Sequence, residues 1–477
     1  MTANLPGKDS VPGGQTADAS SAPAGRLYVK TFGCQMNEYD TEKVRTLLAT
    51  GYREVSTPED ADVVFVNTCS VREKGEHKLF SLLGRLRELK EQKPELVVGV
   101  GGCVAQQEGR GILKRNPAVD FVVGTHNLSL VPALVQSAYD GRGPQVAVDY
   151  REDWETLPEA HEDAPGFGRV RGLIAIQRGC NKRCAFCVVP TTRGPEVSRD
   201  PQEIIREAKL KARLGARELL LLGQTVNSYG RDLTPRYPFE RLIRELAAID
   251  GIARIRFISP HPAEVRQEFL ELYGDVPQLV PHIHLPLQSG SDRILKLMNR
   301  NYRMRRFFEI VDTVRARSPE IALTTDVIVG FPTETESDFA QTLEALERVG
   351  FTSAYSFQYS RRPNTEAEKF PAADEVPEQE ARERLLRLQA LQEEISRGIL
   401  SRFLGCAVEV LVEEPPPRLS SKICGRIPQN TPIELRTSAD LPDPKPGELV
   451  WAEVDRVTPN GLGGVLRARN VGAAVNP

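Results

Sequence analysis

The sequence predicts a mixed α/β chain in three parts. A parallel α/β sheet comes first, a partial (β/α) barrel second, and a small antiparallel β-barrel last. Three observations carry this. Three apolar, β-rich runs in the first 150 residues each finish in one cysteine, with helical segments between them. Six further apolar runs between 172 and 360 alternate with helical patterns, which argues for parallel strands joined by crossovers. After residue 399 the apolar runs are short and parted by Pro and Gly. At 477 residues the chain is too long for one core, and domains of roughly 100–200 residues suggest two to four.

Residues 1–25 are rich in Gly, Ser, Ala and Pro and lack the apolar stretch of a signal peptide, so a disordered tail is expected. Hydrophobic residues make up 40% of the chain and charged residues 27%, an ordinary soluble composition. No apolar run approaches the length of a membrane span. A cytoplasmic protein with no membrane partner is the expectation. In that reducing compartment eight cysteines point to metal or redox chemistry before disulfides. A formal charge of −3 offers no global attraction for nucleic acid, so RNA contact must come from local patches.

The first domain is expected over 26–145. "RLYVKTFGC" ends in Cys34, "ADVVFVNTC" in Cys69 and "LVVGVGGC" in Cys103. "NEYDTEKVRTLLATG" and "EKGEHKLFSLLGRLRELKEQK" read as the helices between them. Ligands of open parallel sheets sit at the carboxyl ends of the strands. Three thiolates 35 and 34 positions apart would therefore meet at one edge. A single buried free cysteine means little; three at equivalent positions are a strong signal.

The barrel is expected over 166–398. Its strands are "GLIAIQRG" (172–179), "ELLLLGQ" (218–224), "ARIRFIS" (253–259), "HIHLPLQ" (282–288), "TTDVIVGF" (324–331) and "SAYSFQYS" (353–360). Functional groups on such barrels collect where the strands end. Those ends carry Gly223–Gln224, Ser259–Pro260–His261, Gln288–Ser289–Gly290 and Tyr359–Ser360. His261 reads better as a packed, hydrogen-bonded loop residue than as an acid. The first strand runs into "RGCNKRCAFCVVPTTRG", with Cys180, Cys184 and Cys187 inside eight residues. A structural zinc site closes its tetrahedron with four ligands, and no fourth cysteine or histidine lies nearby. A cubane iron–sulfur cluster held by three thiolates keeps one iron open for a small molecule. Phe186, between two ligands, could shield it. A zinc site completed from a distance is the alternative.

The last domain, 399–470, follows a helix over 377–403 and carries "AVEVLV", "PIELR", "ELVWAEVDRV" and "GGVLRA" as short strands. Cys406 and Cys424 have no spacing partners. Between 401 and 470 nine Lys and Arg face nine Asp and Glu, so this is no obvious RNA binder. Arg418, Lys422 and Arg426 are candidate phosphate contacts. A second basic patch, "NRNYRMRRFF" (299–308), offers Arg303, Arg305 and Arg306 to phosphate and Tyr302 for base stacking. Solvated basic faces are the simpler reading of both.

"CNKRCAFC" resembles the C-x3-C-x2-C signature of the radical S-adenosylmethionine (SAM) enzymes. The resemblance implies a TIM-like barrel in which Cys180, Cys184 and Cys187 hold a 4Fe-4S cluster. Its open iron chelates the methionine moiety of SAM, and one electron cleaves the sulfonium to a 5′-deoxyadenosyl radical. It also implies that Gly223 and Gln224 receive the methionine amino group and that Arg193 pairs with its carboxylate. Gln288 is a further candidate for cofactor binding.

With "FGCQMNEYD", "VNTCSVREK", "GVGGCVAQQEG", "LLGQTVNSYG", "SPHP", "HLPLQSGSDRILKLMNR" and "DVIVGFPTETE" added, residues 26 to 470 resemble the radical SAM methylthiotransferases. Within them the chain is most similar to the tRNA-2-methylthio-N6-dimethylallyladenosine synthases. That likeness implies a second 4Fe-4S cluster on Cys34, Cys69 and Cys103 that carries the sulfur, with one SAM for the methyl group and another for the radical. The reaction implied is methylthiolation of C2 of N6-dimethylallyladenosine at position 37 of tRNA, 3′ to the anticodon. A C-terminal TRAM domain, an electron donor of flavodoxin or ferredoxin type, a sulfur donor and a monomer are also implied. The basic "GRT-x-x-N" stretch usual in TRAM domains is altered here to "CGRIPQNTPIELR". A sibling enzyme acting on a ribosomal-protein aspartate or on threonylcarbamoyladenosine in tRNA is one alternative. A zinc-stabilised RNA-binding protein is the other.

Overall fold

The computed structural model describes residues 25–70, 73–151, 154, 170–415, 422–437, 441–459 and 461–469. The expected tail, Gly25 apart, and Arg418 lie outside the described residues.

Strands β1 (Gly25–Phe32), β2 (Tyr52–Glu54), β3 (Val63–Thr68), β4 (Val97–Gly102), β5 (Phe121–Val123) and β6 (Gln145–Ala147) form one sheet in the order β2-β1-β3-β4-β5-β6. Every pairing in it is parallel. β3 and β4 are buried on both faces, which is why "VVFV" and "VVGVGG" show no alternation of apolar and polar residues. Helix α1 (Gln35–Leu48) and the helix Val131–Tyr139 cover one face, and α2 (Glu73–Gln92) and α3 (Cys103–Glu108) the other. Gly99 and Gly101 are required here, because a Cβ would stand 2.1 Å from the Phe121 ring and 2.5 Å from the Phe65 ring. The three cysteine-ended strands are thus joined by three more, β2, β5 and β6. Each is only three residues long and below the length at which periodicity is visible.

The barrel is built from β7 (Arg171–Ala175), then a short ribbon of β8 (Gln177–Arg178) and β9 (Val197–Ser198), then β10 (Glu218–Leu222), β11 (Arg254–Phe257), β12 (His282–His284), β13 (Ala322–Val329) and β14 (Ser353–Gln358). β11-β10-β7 and β12-β13-β14 are two parallel ladders. A parallel bridge from Ile255 to Leu279 joins them across the β11–β12 gap. All six expected barrel strands are present. β8 and β9 pair antiparallel on either side of the cysteine loop and close it. Asp200 fixes the start of the next helix, Pro201–Arg213, by accepting from the backbone of Gln202 at 2.8 Å and of Glu203 at 3.1 Å.

β15 (Ala407–Glu413), β16 (Ile423–Arg426), β17 (Pro432–Arg436), β18 (Leu449–Thr458) and β19 (Gly461–Arg469) close a barrel in the order β15-β16-β17-β19-β18. Four of its pairings are antiparallel and β17–β19 is parallel. A ring of five strands cannot alternate throughout, so one parallel pair is unavoidable. This barrel sits against the starts of β7, β10 and β11. Arg171 pairs with Glu413, Arg254 reaches Glu409 at 2.8 Å, and the Val170 N–H donates to Glu414 at 3.1 Å. It therefore occupies the end of the central barrel opposite the cysteine loop.

Candidate metal centres

Cys69 and Cys103 directly follow the last residues of the parallel strands β3 and β4, and Cys34 stands two residues past the end of β1. The register pairs Phe32 with Thr68 and Thr68 with Gly102, so the strands end level and the three thiols meet at one edge. Two glycines make room. A Cβ at Gly33 would lie 2.8 Å from that of Cys69; one at Gly102, whose φ is 94°, would lie 2.3 Å from Asn67 Oδ1. Two buried asparagines lock the loops together. Asn37 donates to Asn67 Oδ1 at 2.9 Å and to the Thr68 carbonyl at 3.1 Å, and Asn67 donates back to the Asn37 carbonyl at 2.8 Å. The Cys69 thiol lies within hydrogen-bonding reach of both Cys34 and Cys103. That contact and the nearby Arg193 charge, working against burial, hold the Cys34 and Cys103 thiols below their ordinary range, while the same contacts and burial push Cys69 up.

The second set stands on the loop between β8 and β9. Cys180, Cys184 and Cys187 are half-buried and close enough that the charge of Cys184 acts on both Cys180 and Cys187. Burial, then the charge of Cys184, pushes the Cys187 thiol up to about 12. A bound cationic centre reverses this, since metals deprotonate their thiol ligands. Donors already surround the sulfurs. The Lys182 N–H lies 3.4 Å from Cys180 Sγ, the Val189 N–H 3.5 Å from Cys187 Sγ, and Thr225 Oγ1 3.3 Å from Cys180 Sγ. Arg300 Nη1 donates to Cys184 Sγ at 3.3 Å. Hydrogen bonds to thiolate sulfur are how proteins tune iron–sulfur clusters, so this donor set fits one. Among the described residues no group of three His, Cys, Asp or Glu is arranged to close around a single metal ion.

Gly223 and Gln224 follow the end of β10, beside this loop. Gln224 Oε1 and both polar atoms of the Gln177 amide are buried without a hydrogen-bond partner, and Gln177 Oε1 lies 3.3 Å from where a Gly223 Cβ would be. Unpartnered buried amides at strand ends fit a polar ligand. Gln288 sits at the end of the next ladder with φ 66° and is buried. Its backbone bridges β13 through the Asp326 carbonyl at 2.8 Å and the Ile328 N–H at 2.9 Å.

Arg193, expected at the methionine carboxylate, is engaged elsewhere. Its Nη2 is 2.7 Å from Asp40 Oδ2 in α1, both residues are buried, and its charge acts on Cys34 and Cys103. Thr125 donates to the Thr192 carbonyl at 2.8 Å, and His126 Nε2 lies 3.1 Å from the Arg193 carbonyl. The segment that leaves Cys187 is thereby clamped to the edge of the first sheet, and the two cysteine sets share one rigid connection. His261 is a packed loop residue, as expected. Its backbone exchanges two hydrogen bonds with Asn227, and burial pushes its imidazole far down.

The RNA candidates divide. Tyr302 is buried, with its hydroxyl on the Pro286 and Leu287 carbonyls at 3.1 and 2.6 Å, so its ring is closed to a stacking base. Arg426 pairs with Glu413 at 3.2 Å and the Asn430 carbonyl at 3.0 Å, at the junction of the two barrels. Lys422 pairs with Glu434 at 2.8 Å. Arg303, Arg305 and Arg306 are exposed at the start of the helix Met304–Arg317, with Arg305 only 3.7 Å from Glu309. Asn37, Asp40, Asn67, Gln177, Thr225 and Arg300 are the residues that the sequence alone did not single out. The paired "N-x-C" and "C-x-x-N" spacings of "VNTC" and "CQMN" were the available signal for the asparagines.

Two family models match the chain. That of the uncharacterized protein family UPF0004 covers residues 26–124, and that of the Radical SAM superfamily covers residues 174–346. A tRNA-2-methylthio-N(6)-dimethylallyladenosine synthase of Syntrophobacter fumaroxidans is 46% identical over 425 residues, 89% of this chain and 92% of that protein. One of Geobacter metallireducens is 44% identical over 444 residues, 92% and 98% respectively. Among solved structures, the radical S-adenosylmethionine methyltransferase TsrM from Kitasatospora setae aligns with a TM-score of 0.52 at 15% identity, over 72% of this chain and 74% of that one. At that identity it speaks for the fold alone.

Proposed function

The chain belongs to the tRNA-2-methylthio-N6-dimethylallyladenosine synthase family, within the radical SAM enzymes, and from this we propose that it methylthiolates C2 of N6-dimethylallyladenosine, 3′ to the anticodon of tRNA. Family membership carries SAM and one 4Fe-4S cluster with it. The observation behind the fuller reading is the pair of three-cysteine sets at the carboxyl ends of parallel strands, joined through Arg193 and Asp40. Cys180, Cys184 and Cys187 would hold the radical SAM cluster, and Cys34, Cys69 and Cys103 an auxiliary one. Between them the bound groups supply what side chains cannot: removal of hydrogen from a strong, non-acidic aromatic C–H bond, and a sulfur atom to replace it.

The chain's own residues have narrower tasks. Gln177, Gly223 and Gln224 present the room and the unpartnered amides for the methionine end of SAM, with Gln288 across the barrel mouth. Arg300 and Thr225 donate to cluster ligands. Arg193 offsets negative charge at the auxiliary set and ties that set to the core. Among the described residues no helix is long and apolar enough to cross a membrane. A cytoplasmic monomer fed by a flavodoxin- or ferredoxin-like donor and a separate sulfur donor completes the proposal. Nucleoside mass spectrometry of tRNA from cells lacking the gene tests it. Accumulation of the dimethylallyl nucleoside without its methylthio form is expected; an unchanged nucleoside profile would overturn it.

A further inference from the structure

Tyr28, Lys30 and Phe32 alternate along β1 on the face opposite the buried Leu27 and Val29. On that face α2 packs Leu79, Leu83 and Leu86 over β3 and β4, and Tyr28 and Phe32 of β1 are left only half-buried at the margin of that cluster. The result is an open groove of about 460 Å³ between β1 and the first half of α2. Its walls carry Lys30, Lys78 and Arg85, all exposed, with the rings of Tyr28 and Phe32 between them. Lys30 Nζ lies 5.8 Å over the Phe32 ring. Elsewhere on this chain basic side chains are commonly ion-paired, as at Arg26, Arg45, Lys90 and Lys93. Lys30, Lys78 and Arg85 form no ion pair with any described residue.

The groove also points somewhere. Phe32 is followed by Gly33 and Cys34, and the Phe32 carbonyl accepts from the Cys69 N–H at 2.9 Å. Its inner end is therefore the rim of the auxiliary cysteine set, where a substrate base must arrive. Unpaired cations interleaved with aromatic rings match single-stranded nucleic acid, whose phosphates need charge and whose bases need a flat partner.

We propose that this groove binds the single-stranded loop of the tRNA substrate, with phosphates on Lys30, Lys78 and Arg85 and a loop base against Phe32 or Tyr28. The inference rests on the tRNA reading above. An acidic electron-donor protein would use the cations but has no need of the rings, so RNA is the occupant favoured.

The test is tRNA binding by the reconstituted full chain across a potassium chloride series, for wild type, a Lys30→Glu/Lys78→Glu/Arg85→Glu variant and the milder Lys30→Gln/Lys78→Gln. Iron content and tRNA-free SAM cleavage serve as the check that each is folded and loaded, since none of these side chains touches a cysteine. The triple variant should bind about tenfold more weakly at low salt. Its salt slope should shrink by about 2, because each contact to a single strand carries about 0.7. The double variant should fall between. Unchanged affinity and slope would overturn the proposal, as would a variant that binds tRNA normally but no longer accepts electrons from flavodoxin. If wild type itself fails to bind or modify tRNA, the parent reading has failed instead.

Discussion

Arg300 donates from Nη1 to the Sγ of Cys184 at 3.3 Å although the two residues are 116 positions apart. The guanidinium is buried, stacked 5.3 Å over the Tyr302 ring and held by the Pro286 carbonyl at 3.3 Å. A cation and a donor on a ligand sulfur stabilise the more negative, reduced state of a cluster.

Arg300→Leu should therefore make the potential of the core cluster more negative and slow SAM cleavage about 10–100-fold, the usual loss when such an outer partner is removed. Arg300→Lys should keep part of the potential. Redox titration followed by electron paramagnetic resonance reads this directly; an unshifted potential in Arg300→Leu would remove Arg300 from the tuning role.

The Arg193–Asp40 pair is buried on both sides, and removing one partner of such a pair typically costs about 3–5 kcal/mol. Asp40→Asn or Arg193→Lys should disturb the auxiliary set first. Reconstituted protein should fall from about eight irons towards about four, the content of one cubane, while SAM affinity is kept. Loss of SAM affinity with full iron content would return Arg193 to the methionine carboxylate.

Glu207 joins the first sheet domain to the barrel. It takes Lys43 at 3.0 Å, Arg199, and the Tyr39 hydroxyl at 3.1 Å, with Lys211 at 3.9 Å, and all are buried. Burial alone would raise its carboxyl, but the charges of Lys43, Arg199 and Lys211 outweigh burial and hold it far below the usual carboxylate range. A depressed carboxylate contributes its full stability above its unfolded pKa and loses it progressively as pH falls from there through the folded value. The junction should thus persist through mildly acid pH and fail in strong acid. Glu207→Gln should lose about 3–5 kcal/mol at neutral pH, since it strands buried cations. Denaturant unfolding at several pH values checks both statements.

Deleting residues from 402 onward should weaken tRNA binding and leave SAM cleavage with reductant alone intact. The structure adds a cost: Arg171 and Arg254 lose Glu413 and Glu409. The truncated core should melt lower, by about 2–4 °C for each kcal/mol lost. A truncated core with the melting temperature of the full chain would mean that this junction carries no stability.

The cysteine loops, the six barrel strands and the helices between them were legible because local periodicity and spacing encode them. β2, β5 and β6 were not, since three-residue strands exist only through their neighbours. Nor were Arg193–Asp40 and Arg300–Cys184, 153 and 116 residues apart. Partner choice at that range is made by the packed fold, and an arginine beside a motif reads alike whichever way it turns. Tyr302 shows the converse. Its basic surroundings suggest a surface patch, whereas the ring packs inward and its hydroxyl finds two carbonyls.

We assign different work to the two cysteine sets. A Cys34→Ala/Cys69→Ala/Cys103→Ala variant, reconstituted without oxygen, tests this assignment when 5′-deoxyadenosine and methylthiolated tRNA are measured in the same reaction. Continued SAM cleavage, slower and uncoupled, with no methylthio product is the expected result. Methylthiolation at the wild-type rate would contradict it.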